Sequence, residues 1–451
     1  MRLFGVTALL PLLCVAPLAR AAAPASRLTP PPAPGPSATA TASVPATASA
    51  PATASESDGL SEDDAVLRAL QSNPVLRAFR KQRAVAEGEI VSATAIANPR
   101  LQLQMVHFQE AANMGWTGTI KWAPPQPAEW LARRSQARAR VEQVRYEIAE
   151  QEWAVATLVR ATHATLIELR QQARLLEDAL AMRRRMAGLM RTRVQRGGAT
   201  RIELNLIDLA VLAAQRDLHD LAMRRTQAQS QLHALLGVLS PEPIGVSGPL
   251  HEDTDGVARL DAAQLAEQAL ANRPVLKAAQ ARISQRQHAL RVEKVRRFPW
   301  LELSARYGQT GSSKYPNDWQ VGVELPLPIL NWNSGPVRVA AAELEEAQAS
   351  EQAQSETLKQ SVFAAHAELK LRREILVHYL RDVLPVFTEH ERLLEIAVRG
   401  GQIDLVGLLS SEESVLRGRR EYTDARLAFR QAWLQLEAAV GARVSEREAG
   451  R

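Results

Sequence analysis

Two stretches of this chain, Asn73-Pro74-Val75-Leu76 and Arg273-Pro274-Val275-Leu276, sit in segments that run in step with each other. Leu60 to Leu103 returns as Leu260 to Leu303 at a constant offset of about 200, and Pro99, Leu101 and Leu103 fall on Pro299, Leu301 and Leu303. Further on, Trp116 matches Trp319, Gly197-Gly198 matches Gly400-Gly401, and Gly237 matches Gly441, with the offset three or four residues larger. Self-similarity over most of a chain means one structural unit built twice. The reading therefore divides the chain into repeats at 60–237 and 260–441, joined by a Pro- and Gly-rich connector at 238–259.

Each repeat spells the same order of elements. A helix opens at a capping residue, Ser61 or Asp261, with Asp64 and Gln264 three positions on in a capping-box-like pattern. It stops near Asn98-Pro99 or Phe298-Pro299, because proline disfavours helix for the residue before it. Two alternating runs follow: Leu101, Leu103 and Met105, then Gly118, Ile120 and Trp122, in one repeat; Leu301, Leu303, Ala305 and Tyr307, then Trp319, Val321, Val323 and Leu325, in the other. A period of two with polar residues between marks strands with one apolar and one polar face.

Long helices come next, from about Glu129 to Val194 and from about Pro336 to Val398. Each is about 100 Å if continuous. In the first, Val141, Val144, Ile148, Val155, Leu158, Thr162, Leu166, Leu169, Ala173, Leu176 and Leu180 keep the three-and-four spacing of a coiled-coil seam. Pro385 is expected to kink the second. Turns at Gly197-Gly198 and Gly400-Gly401 reverse the chain into returning helices that end at Gly237 and Gly441.

Composition fits long helices. Only 4% of the residues are aromatic, and Ala, Leu, Arg, Glu and Gln dominate after residue 60. The net charge of +6 is arginine interspersed with glutamate, without a recognisable base-reading module, so nucleic acid is not an expected partner. Residues 1–23, with Arg2, an apolar run and small residues at Ala19, Ala21, Ala22 and Ala23, read as a signal peptide. The only cysteine, Cys14, lies inside it, after Leu12 and Leu13 rather than small residues, so no acyl anchor is expected there. Residues 24–59, almost wholly Pro, Ala, Ser and Thr, read as an extended linker, and 442–451 as a tail.

Nothing in the sequence carries catalysis. There is no phosphate-binding glycine loop, no glycine-flanked nucleophilic serine and no paired-histidine zinc motif, so neither cofactor nor metal site is expected. Four strands cannot close a barrel alone, and strands with one apolar face leave that face and two edges open. The strands by themselves admit two readings, a soluble hairpin packed on a helix or a share of a membrane barrel built from several copies.

The chain resembles TolC-like outer-membrane efflux proteins, most of all their heavy-metal-efflux branch. The resemblance covers about residues 60 to 441: the duplication, Asn98-Pro-Arg-Leu101, Leu325-Pro-Leu-Pro-Ile329, and Asn331 to Pro336 ahead of a long Ala- and Glu-rich helix. It implies a mainly α-helical homotrimer with four strands per protomer in a twelve-stranded outer-membrane barrel and a helical tunnel in the periplasm. Such a duct serves a periplasmic adaptor and an inner-membrane pump and passes metal ions or small organic compounds passively. The family's adaptor-contacting tips fall on Arg196, Gly197, Gly198 and Ala199, and on Arg399, Gly400, Gly401 and Gln402. Its aperture acid falls on Glu203 in the first repeat; the second repeat offers Asp404, earlier in the chain, with Gly407 and Ser410 standing where relatives carry acids. Both carboxylates are equally read as residues that favour a helix N-terminus. The rival readings are a soluble periplasmic coiled-coil adaptor or scaffold, and the duct of a type I protein secretion system.

Overall fold

The structure is a computed structural model that describes residues 59–108, 113–250, 253–309, 317–399 and 404–444. The segment read as a signal, and the linker up to residue 58, lie outside the described residues. In chain order the elements are α1 (Glu62–Ser72), α2 (Pro74–Thr94), β1 (Arg100–Phe108), β2 (Asn113–Trp122), α3 (Pro127–Gln195), α4 (Arg201–Leu236) and a short turn α5 (Thr254–Val257). The second repeat supplies α6 (Ala262–Asn272), α7 (Pro274–Val295), β3 (Glu302–Gln309), β4 (Asn317–Glu324), α8 (Ser334–His378), α9 (Leu384–Arg399) and α10 (Leu405–Val440).

The single helix expected at the start of each repeat is two helices. Pro74 has no N–H to give and pushes Asn73 out of the helical region, to φ −57° and ψ 122°, so α1 stops and α2 begins with proline at its first position. Asn73 caps α2 by accepting from the Leu76 amide and donates through Nδ2 to the Leu235 carbonyl. Pro274 breaks α6 from α7 in the same way. The capping expectation holds at Ser61, which accepts from the Asp64 amide, while Asp261 caps through Ala263 rather than Gln264.

Pro385 acts through a π-helical turn, Tyr379–Val383, inserted between α8 and α9. The wider turn carries the Leu384 amide to the Tyr379 carbonyl, ahead of the position where proline has no N–H to give. Along α3 the expected seam is met at Val144, Ile148, Thr162, Leu166, Leu169, Leu176 and Leu180, all buried, but Leu158 is exposed and Val159 is buried in its place. The reason is that α3 meets α1, α2, α4, α7 and α10 at different heights, so its buried face rotates along its length.

Each repeat builds a core from the same parts, the first of them joined by Leu416 of α10. Ala65, Val66 and Ala69 of α1 pack on Val159, Leu166 and Leu176 of α3 and on Leu232 and Leu236 of α4. Leu265, Ala266 and Ala269 of α6 pack on Val362, Leu369 and Leu376 of α8 and on Phe429, Trp433 and Leu436 of α10. The repeats then merge at the strands. The four strands form one antiparallel sheet in the order β1-β2-β3-β4, and its central pair, β2 with β3, joins one repeat to the other.

Candidate conduit and hairpin tip

Register decides what the sheet can do. Leu103 lies opposite Gly118, Gly118 opposite Tyr307, and Tyr307 opposite Trp319; Leu101, Ile120, Ala305 and Val321 align in the same way. One face is therefore apolar across all four strands. It is uncovered: Leu103 is 69% exposed, Met105 76% and Trp319 76%. The opposite face carries Gln102, Gln104, Thr117, Thr119, Lys121, Ser304, Arg306 and Gln320. Lys121 reaches Glu324 at 3.3 Å on that polar side.

Aromatic side chains mark two levels of the apolar face. Trp116 and Tyr307 pack with ring centroids 5.6 Å apart, with Trp319 beside Tyr307, while Trp122 stands six residues along β2 from Trp116, about 20 Å away at strand rise. Below the strands the indole N–H groups of Trp122, Trp130 and Trp300 donate to the carbonyls of Ala97, Thr94 and Pro124. Two aromatic levels around an outward apolar band are the arrangement that meets a bilayer at its interfaces. Among the described residues no helix is long and apolar enough to cross a membrane.

At the far end of the helices, the first tip closes as a Schellman turn. Gly197 takes φ +74°, its amide donates to the Val194 carbonyl at 3.0 Å, and the Gly198 amide donates to the Arg193 carbonyl at 2.8 Å. Ala199 packs with Leu204 against a small core of Ala187, Met190 and Ile207. Arg196 and both glycines are exposed. Of the second tip, Arg399 ends α9, its side chain is outside the described residues, and so are Gly400, Gly401 and Gln402.

Glu203 completes a capping box at the start of α4. The Thr200 amide and hydroxyl donate to its carboxylate at 2.6 and 2.9 Å, while the Glu203 amide donates back to the Thr200 hydroxyl. The Thr200 backbone bond above all, then the hydroxyl, hold the Glu203 carboxyl below its ordinary range, and the nearby Arg193 adds to this. Asp404 caps α10 by accepting from the Gly407 amide at 3.0 Å. Both acids thus have a local helix-terminal role in one protomer.

Sequence reasoning missed the charges that join the hairpins. Buried Arg183 of α3 meets Glu412 at 3.3 Å and Glu413 at 2.8 Å on α10, and donates to the Ala210 carbonyl of α4. Burial pushes the Glu412 carboxyl above its ordinary range despite the opposing Arg183. Nearer the middle, Arg160 of α3 meets Glu437 of α10 at 3.2 Å, and Arg430 of α10 meets Glu62 of α1 at 2.6 Å. These pairs stitch repeat to repeat.

A second missed set repeats the internal symmetry. His163 Nε2 lies 2.9 Å from the Leu60 carbonyl and His366 Nε2 lies 3.3 Å from the Leu260 carbonyl. Arg170 donates to the Val246 carbonyl, and Arg373 to that of Thr254. Both pairs stand 203 residues apart, the same step as Gly197 to Gly400, so sliding the sequence against itself would have found them.

Known proteins share this architecture. The cobalt-zinc-cadmium resistance protein CzcC of Cupriavidus metallidurans is 23% identical over 80% of this chain and 85% of its own length. The crystal structure of CusC superposes with a TM-score of 0.69 at 14% identity, covering 84% of this chain and 92% of CusC. The Campylobacter jejuni CmeC outer membrane channel gives 0.69 at 14% identity, over 86% and 87%. Residues 265–442 match the model of the family described as outer membrane efflux protein. The second repeat is an outer membrane efflux protein unit. The match covers the second repeat, and the first repeat carries the same order of elements. The chain is a channel component of the outer membrane and not an enzyme.

Proposed function

We propose that the chain is the outer-membrane duct of a tripartite metal-export system, closed by three copies. The observation that carries this reading is the four-stranded sheet with one continuous apolar face and two unpaired edges, β1 and β4. Backbone edges and apolar side chains cannot both stay in water, and within a bilayer every strand must find partners on both sides. Three sheets joined edge to edge satisfy the edges, turn the apolar face to lipid and leave the polar face around water. The helices then extend as a periplasmic tunnel, with the tips at Arg196 to Ala199 and Arg399 to Gln402 meeting an adaptor joined to an inner-membrane pump. Divalent metal ions are the proposed cargo, on the likeness to the cobalt-zinc-cadmium resistance protein. The segment boundaries read from the sequence, with a signal at 1–23 and a linker at 24–59, belong to this proposal.

Membrane fractionation with crosslinking tests the duct. An outer-membrane species that migrates as a trimer unheated and as a monomer after boiling is the expected result, and a soluble periplasmic monomer overturns it. Growth of a deletion strain on graded cobalt, zinc and cadmium tests the cargo, with unchanged tolerance to all three counting against metal.

A further inference from the structure

The two hairpin ends differ in charge. Residues 184–208, the end of the first hairpin, carry six arginines against two carboxylates, a formal +4. The matching window 203 residues later, 387–411, carries two arginines against four carboxylates, a formal −2. The two hairpin ends of one chain are of opposite sign.

Pairing sharpens the contrast. At the second end Glu389 is held by Arg392, Glu391 by Arg419, and Asp404 caps α10. At the first end Arg191 pairs with Asp208 at 2.9 Å, but Arg184, Arg185, Arg193, Arg196 and Arg201 are exposed and have no ion pair among the described residues. Four of the side chains here share one face. Arg185, Leu189, Arg193 and Arg196 step by four, four and three residues, the spacing of a single helical stripe about 16 Å long. Leu189, in the middle of that stripe, is 70% exposed, and Ile202 just past the turn is 81% exposed. A β-carbon at Gly197 would touch nothing within 4 Å, so the turn keeps a low profile.

We infer that the stripe of Arg185, Leu189, Arg193 and Arg196 is a cationic docking face for an acidic α-helical protein, one that presents carboxylates on either side of an apolar side chain. Arginine's planar fork suits carboxylates, and an apolar side chain between charges supplies the desolvated contact that an ion pair in water lacks. The direction of the stripe selects a protein over a lipid surface. Charges running along the side of a hairpin are all reached by a helix lapping beside it, whereas a flat anionic bilayer meeting the end reaches only those at the turn. This inference rests on the duct reading for the partner being the adaptor, and it states that partner's chemistry.

The test uses the full-length protein in detergent micelles and a fluorescent helical peptide with glutamates flanking leucines at four-residue spacing, read by anisotropy. Binding is expected to weaken about tenfold or more from low to high salt. The variant R185E/R193E/R196E is expected to lose about tenfold or more, Leu189→Ala severalfold, and E389Q/E391Q at the other tip under about twofold. Circular dichroism and the unheated gel mobility check that each variant keeps its helices and its assembly. Triple-variant binding equal to wild type overturns the inference. So does wild-type binding to phosphatidylcholine vesicles with about a quarter phosphatidylglycerol in place of the peptide, which assigns the stripe to lipid. A soluble location in cells would end the duct reading while leaving the peptide measurement intact.

Discussion

The two hairpins of this chain started from one pattern and differ in how they are held. The first, α3 into α4, is an uninterrupted 69-residue helix closed by a Schellman turn and a capping box. The second passes through 45 residues of α8, a five-residue π turn and 16 residues of α9 before it returns along α10. There the tip of the Phe387 ring presses against α10 at Gly418, where a β-carbon would fall 1.9 Å from its Cζ. The sequence step of 203 places Arg184 and Met182 where the second hairpin has Phe387 and Pro385. One hairpin is therefore a straight strut with an exposed charged end, and the other is a broken rod wedged by an aromatic ring. One of the links between them is buried Arg183, which reaches from the first into α10.

Removing that link is the largest way to break the comparison. Arg183→Ala leaves Glu412 buried without its counter-charge and is expected to cost about 3 kcal/mol or more, read by chemical denaturation in detergent. The glycines come next, and they separate conformation from packing. Gly197→Ala meets only the left-handed backbone, about 1 kcal/mol, because its surroundings are open. Gly237→Ala adds a β-carbon 2.6 Å from the Ser72 carbonyl oxygen to the same backbone problem, so it is expected to cost roughly twice as much or more. Equal losses at the two sites would show that backbone conformation alone decides both.

Pro385→Ala is a smaller test. It returns an amide donor to the broken rod and is expected to slow hydrogen exchange between Tyr379 and Val386, with a stability gain of about 1 kcal/mol at most. Unchanged exchange would make the π turn a property of the surrounding packing rather than of proline.

Acidity should move the two hairpins in opposite directions. Glu203 sits below its ordinary range in the folded protein, so its contribution is present above that range and is lost as pH falls through its folded value. Glu412 sits above its ordinary range, so its folded form takes up a proton more readily than its unfolded form, and its contribution weakens as pH rises from the ordinary carboxylate range through its raised folded value. Mild acid is expected to relieve the seam at α10, and stronger acid, below the ordinary carboxylate range, to loosen the first tip, measured as local exchange rates in Glu203→Gln and Glu412→Gln against wild type. Parallel responses in the two variants would remove the distinction.

Much of this was legible from the chain because the signals are local. Period-two alternation with a doubled copy gave the strands and their faces, and Gly197, Gly237 and Gly441 gave the turns. Proline was harder to read. Pro74 and Pro274 were visible as matched residues, but their effect depends on Asn73 and Arg273 finding partners on the returning helices, and those contacts span more than 160 residues. The buried pairs of Arg160 and Arg183 look like ordinary helix-surface arginines in sequence, since burial is decided by which helix passes opposite. For the tip, the sequence offered Glu203 and Asp404 both as aperture acids and as helix-terminal residues, and the geometry supplies the bonds of the second role.

The clamp on Leu60 has a practical consequence. Leu60 is bonded to Gly245 and Ser247 of the connector and to His163, and His163 lies near the midpoint of α3, about 50 Å from either end. Leu60 is therefore pinned at the waist of the molecule, far from both the strands and the tips. Hydrogen exchange at the Leu60 and Ser247 amides would report on that level alone and so show whether a disturbance at either end travels to the middle.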